Sequence, residues 1–149
     1  MKNLLRANVA LTGIFLLATL VAAVVFTPAT RAFGAIVDLA LFSVGVAAFI
    51  WAYFTAVQRS RTDEISVAAL YFLTGQVASI DARRIMNGCL VAQLVIGLGG
   101  AIARSSTDGQ AGSTLAFGVL VPLLGLGLNG LWASRFGTFT PRDQSDRQG

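Results

Sequence analysis

Apolar residues in this chain gather into long, nearly unbroken runs. Crossing ~30 Å of hydrocarbon takes roughly 20 apolar residues of helix. Four runs qualify: Ala7–Phe26, with no charge after Arg6; Ile36–Val57, interrupted only by Asp38; Ile85–Ala103; and Thr114–Ala133. No water is present in lipid to satisfy open backbone groups, so each run must be helical. The expected fold class is all-α: a polytopic four-helix transmembrane bundle, one domain over residues 1–139. The polar stretch Thr140–Gly149 reads as a disordered cytoplasmic tail.

A fifth stretch, Ile65–Ile80, is apolar but shorter, and it contains Thr74, Gly75, Gln76 and Ser79. Counting it as a span would move Arg83, Arg84 and the C-terminal arginines to the far side and erase the charge bias described below. It is therefore expected to form an amphipathic helix over about residues 64–80, lying in the inner interface with its apolar face in the headgroup boundary. Thr62 would cap that helix, and Asp63 and Glu64 would favour its positive end. A re-entrant segment and a fifth span are the alternatives.

Orientation follows from the basic residues. With the N-terminus inside, the inner segments hold Lys2, Arg6, Arg59, Arg61, Arg83, Arg84, Arg135, Arg142 and Arg147, and the outer loops hold only Arg31 and Arg104. So strong a bias over short loops places both termini in the cytoplasm. Trp51, Tyr53 and Trp132 fall near the inner ends of their spans, where interfacial aromatics are expected. Lys2 and Arg6 before an apolar run also fit a signal peptide, with Thr30-Arg31-Ala32 as a weak cleavage site, but the run exceeds the usual ~7–15 residues.

Composition agrees with lipid as the solvent. Of 149 residues 55% are hydrophobic and only 12% charged, where a soluble domain carries about 25% charge. The net charge of +4 is then a topology signal, and no nucleic-acid partner is expected. Arginine far outnumbers lysine, which occurs once, at Lys2, and Ala, Val and Gly are abundant; that usage fits a high-GC bacterial genome. The membrane expected is the bacterial cytoplasmic (inner) membrane, with the lipid bilayer and another membrane subunit or a second copy as partners.

The candidate chemistry is sparse. The chain has no histidine and one cysteine, Cys89, so a histidine base, a histidine metal site and an intrachain disulfide are excluded. No catalytic residue, cofactor or metal site is expected, and the chain reads as a non-enzyme. Cys89 has no cation beside it to activate it and reads as a packing residue. Asp38 is the one ionisable group inside a span, a functional hypothesis by default. In the first turn of its helix it would be stabilised by free N–H groups and the dipole, with Arg31 and Arg104 as partners; the sharper reading is a proton- or cation-binding carboxylate. Pro122 lies in the middle of the fourth span, where it removes a hydrogen bond and crowds the Gly118 carbonyl. With Gly125 and Gly127 it predicts a bend: a hinge or an ion-binding break, as in transporters with discontinuous helices, or an ordinary feature of membrane helices. Asn87 and Asn129 lie at matching depths on the third and fourth spans and are expected to bond to each other. Gln93, deeper, needs its own partner or faces a subunit interface. Small residues four apart, at Gly88/Ala92, Gly97/Ala101 and Ala18/Ala22, suit close helix packing. Arg59, Arg61, Arg83 and Arg84 are candidate anionic-lipid contacts, besides enforcing topology. The two halves share no motif, so an inverted-repeat transporter is not supported.

The stretch Ala116-Phe-Gly-Val-Leu-Val-Pro-Leu-Leu-Gly-Leu-Gly-Leu, followed by Leu131-Trp-Ala-Ser-Arg-Phe-Gly-Thr-Phe and Pro141-Arg142, resembles the end of small four-span membrane proteins of actinobacteria. The connector Glu64–Arg84 is similar to theirs as well. The resemblance covers about half the chain, implies topology and host, and carries no catalytic motif. Small multidrug exporters need a glutamate in the first span, and none stands here. Gly99-Gly-Ala-Ile-Ala-Arg104 is similar to a fluoride-channel opening motif but closes the third span instead. The expected function is a non-enzymatic accessory or scaffold subunit of a membrane complex or homo-oligomer. The alternative is a small transporter, channel or lipid-handling protein using Pro122 and Asp38.

Overall fold

The computed structural model describes residues 1–142. Four helices are long and apolar enough to cross a membrane, giving an all-α bundle of a multi-pass membrane protein. They are α1 (Lys2–Val25), α2 (Pro28–Arg59), α4 (Ile80–Ala103) and a fourth span, Thr114–Phe136. The fourth is a 3₁₀ segment, Thr114–Leu120, followed by α5 (Pro122–Phe136). A short helix, α3 (Val67–Phe72), lies between α2 and α4.

The helices outrun the apolar runs. α2 has 32 residues, or ~48 Å at 1.5 Å per residue, well over the hydrocarbon thickness. It starts eight residues before Ile36 because Thr27 and Thr30 form a reciprocal capping box, each side chain taking the other's backbone N–H, with Pro28 in the first turn. α1 ends at Phe26 in a left-handed conformation, which turns the chain sharply into that cap.

The helices pack as two parallel pairs running in opposite directions. α1 lies along α4, where Thr12 meets Gln93, Thr19 meets Gly100 and Ala23 meets Arg104. α2 lies along α5, where Gly45 meets Leu124 and Gly130 meets Ala52. Glycine makes these approaches: a Cβ on Gly127 would collide with the Gly45 carbonyl, and one on Gly97 with the Gly118 carbonyl. Of the small pairs expected, Gly97, Ala18 and Ala22 are buried contacts, whereas Gly88 faces outward with nothing near it. The fourth span is the central one: half of it is buried, against about a quarter of each other span.

The connector between α2 and α4 departs from expectation. It is not a 17-residue interfacial helix. Only Val67–Phe72 is helical, capped by Ser66 rather than Thr62, and it ends at Leu73 in a left-handed turn. Thr74–Ser79 is irregular, and Ser79 caps α4. Leu70, Tyr71, Leu73 and Val77 are buried against the bundle, so the segment folds into the arginine-rich end as a plug. The apolar face is covered by protein because Asn87 and Asn129 take up the segment's free carbonyls: Asn129 Nδ2 donates to the Tyr71 carbonyl at 3.0 Å and Asn87 Nδ2 to the Phe72 carbonyl at 2.8 Å.

Two short antiparallel strand pairs close the ends. β1 (Asp63–Glu64) pairs with β4 (Thr140–Pro141), and β2 (Ser106–Thr107) with β3 (Gln110–Ala111). The tail is thus paired at Thr140–Pro141, and the Arg142 N–H bonds the Thr62 carbonyl at 2.8 Å. Order runs past residue 139 because β1 offers a backbone edge for the strand. The rest of the expected tail lies outside the described residues.

Candidate functional site

A helix that begins inside a membrane domain leaves its first backbone N–H groups without intrahelical acceptors. α5 begins this way at Pro122, whose missing N–H suits the first helical position. Pro122 therefore starts a helix rather than kinking one. The Val121 N–H reaches back to Gly118 in 3₁₀ fashion, and the Leu124 N–H bonds Val121. The Gly125 N–H is taken by Gln93 Oε1 at 3.0 Å.

Gln93 serves two further partners from α4. Its Nε2 donates to Thr12 Oγ1 at 2.8 Å and to Asn8 Oδ1 at 3.3 Å, both on α1. Asn8 Nδ2 then contacts Met86 Sδ at 3.5 Å. Gln93, Asn8 and Asn129 are each fully buried. Gln93 thus has protein partners on two spans, and the break in the fourth span is filled by a side chain. Asn8 and Thr12 were not singled out from sequence, although their four-residue spacing puts them on one helix face.

The Asn87–Asn129 hydrogen bond expected from matched depth is present, from Asn129 Nδ2 to Asn87 Oδ1 at 2.9 Å. It forms one cluster with α3. Tyr71 stacks on Phe49 with ring centroids 4.2 Å apart and donates its hydroxyl to the Phe49 carbonyl at 3.3 Å. Burial, and then the neighbouring Tyr53, push the Tyr71 phenol above its usual range, so it remains a neutral donor.

Asp38 is placed differently from expectation. Because α2 begins at Pro28, Asp38 lies in the third turn, where the backbone N–H groups are already bonded within the helix. No free helix end stabilises it. Arg31 and Arg104 do not pair with it either. Arg104 donates through Nε to the Ala23 carbonyl at 2.9 Å, and Arg31 lies 3.9 Å from the exposed Asp108. Both guanidiniums stack on Phe26, at 4.5 and 5.1 Å, which draws them to the end of α1. Asp38 is 4% exposed, and its Oδ1 has no partner among the described residues.

The four candidate lipid arginines separate into types. Arg59 is a structural cross-link: Nε bonds Asp63 at 2.6 Å, Nη1 and Nη2 bond the Ser134 and Gly137 carbonyls at 3.3 and 2.9 Å, and the guanidinium lies over Phe139. It satisfies carbonyls at the end of α5, where a cation is favoured. Arg83 donates to the Gly75 carbonyl at 3.0 Å. Arg61 and Arg84 are exposed. Trp51 and Tyr53 face outward as an interfacial belt requires, but Trp132 is buried in the bundle. Cys89 is a buried free thiol. Among the described residues no group of His, Cys, Asp and Glu is arranged to hold a metal.

Comparison with protein-family models, curated proteins and solved structures found no match to this chain.

Proposed function

We propose that this protein is a non-enzymatic accessory or scaffold subunit of a membrane complex or homo-oligomer. The observation that carries the reading is the use of the interior polar groups. Gln93, Asn8, Thr12, Asn87 and Asn129 bond to one another and to backbone groups across helices. They act as interhelical cross-links. The outer face, by contrast, is broad and apolar along α1, α2 and α4, suited to lipid and to a neighbouring span. The charge bias and the resemblance to actinobacterial four-span proteins support a bacterial cytoplasmic membrane with both termini inside. The partners are the bilayer and a second membrane subunit or a second copy; nucleic acid is not among them.

A second reading, a small transporter, channel or lipid-handling protein, is favoured by Asp38, a buried carboxyl whose Oδ1 has no partner among the described residues, and by the discontinuous fourth span.

Purification in mild detergent from the native host at native expression separates the two. The expected result is a stoichiometric membrane partner, or a homo-oligomer whose Asp38→Asn and Pro122→Ala variants leave all measured fluxes unchanged. A partner-free particle whose flux is lost in Asp38→Asn would replace the first reading with the second.

A further inference from the structure

At the arginine-rich end a cavity opens between the start of α4 and the end of α5. Its walls include Gly75, Ser79, Arg83, Trp132, Phe136 and Thr138. Three features of these walls converge on one ligand chemistry. α4 is a 24-residue helix, and its N-terminus carries partial positive charge toward the cavity. Arg83, one turn into that helix, spends one Nη1–H on the Gly75 carbonyl and has its other donors unbonded among the described residues. Trp132, on α5, lines the same cavity while only 2% exposed, and its Nε1–H has no acceptor among the described residues. A buried donor left unpaired calls for an acceptor. Among the described residues no carboxylate lines the cavity; Asp81, in the first turn of α4, is exposed and not part of the walls.

We propose that this cavity binds a phosphate group, presented by the headgroup of an anionic phospholipid or by soluble phosphate. Arg83 supplies the charge-assisted donor, Trp132 Nε1–H and the Ser79 and Thr138 hydroxyls supply neutral donors, and Phe136 supplies an apolar edge. The site sits about one turn before the apolar run that begins at Ile85, which is headgroup depth for a spanning helix. The proposal goes beyond the accessory-subunit reading and does not depend on it.

The test uses the full chain in uncharged detergent with Trp51→Phe, so that Trp132 is the sole tryptophan. Its fluorescence is followed while phosphatidylglycerol, phosphatidylcholine or sodium phosphate is added in separate arms. A saturable response to phosphatidylglycerol and not to phosphatidylcholine is expected. Arg83→Gln should weaken it about tenfold, the loss of one charged hydrogen bond. Thr138→Val, on a loop where folding is least at risk, should weaken it by a smaller factor, and Arg61→Gln should leave it unchanged. The same response to sodium phosphate alone, with the same dependence on Arg83, would assign the site to soluble phosphate. The proposal is overturned by no saturable response in any arm, by an equal response to phosphatidylcholine, or by equal weakening in Arg61→Gln and Arg83→Gln, which would indicate diffuse surface charge.

Discussion

Gln93 and Asp38 are both buried polar side chains, and they carry opposite expectations for stability. An interhelical hydrogen bond in a membrane protein contributes about 0.6 kcal/mol on average. Gln93 makes three, to Gly125, Thr12 and Asn8, so Gln93→Leu should destabilise by roughly 2 kcal/mol on that scale. Asn87→Ala, which loses a bond to Asn129 and one to Phe72, should cost about two thirds as much by the same arithmetic. Reversible unfolding in mixed detergent and dodecyl sulfate micelles measures both. Among the described residues Asp38 accepts no bond through Oδ1, and an unpaired buried polar group is unfavourable whether or not it is ionised. Asp38→Asn should therefore be neutral or stabilising in the same assay. A helix-capping aspartate would instead lose about 0.5–2 kcal/mol on removal of the cap, so a loss of that size would restore the first-turn reading.

At the scale of the element, long apolar runs were legible because a bilayer imposes helix on them. The boundaries were not, since a helix continues into polar sequence wherever a cap supports it, as Thr27 and Thr30 do for α2. The depth of Asp38 was misjudged for that reason alone. The connector was misread for a different one. Its apolar pattern suits a membrane surface and a protein surface equally, and the choice is made by Asn87 and Asn129, which supply the bonds that draw α3 inward. The Asn87–Asn129 pair itself was legible from depth, whereas Gln93's partners required knowing that α1 lies parallel to α4. The α2–α5 seam yields a sharper prediction. Gly127→Val puts a Cβ into the Gly45 carbonyl, and backbone cannot yield as a side chain can; an overpacked core typically loses about 1–3 kcal/mol or more. The yield of monodisperse protein on gel filtration should collapse. Gly88→Val, with nothing near its Cβ, should behave as wild type. Pro122→Ala should cost less than about 1 kcal/mol, because the proline occupies a helix start and offers no kink to release.

The whole molecule has two unlike ends, and that asymmetry is the basis of the orientation proposed for it in the bilayer. At one end Lys2, Arg6, Arg59, Arg61, Arg83, Arg84, Arg135 and Arg142 gather around the α3 plug and the β1–β4 pair. At the other, among the described residues, only Arg31 and Arg104 appear, and both are drawn onto Phe26 at the end of α1. The α3 segment removes the ambiguity that a fifth span would introduce: it enters and leaves on the same side, since α2 and α4 run in opposite directions on either side of it. An even number of crossings then puts Lys2 and Arg142 on one face. The proposal that this face is cytoplasmic rests on the excess of basic residues there. Single cysteines introduced in a Cys89→Ala background test this in intact cells with a membrane-impermeant maleimide. Cysteine at Gln110, in the exposed β3 hairpin, should label without permeabilisation. Cysteine at Gln76, in the connector at the opposite end, should label only after it. Reversed labelling would invert the topology while leaving the bundle intact. Labelling of both in intact cells would mean that the connector reaches the outer face, and the even crossing number would be lost.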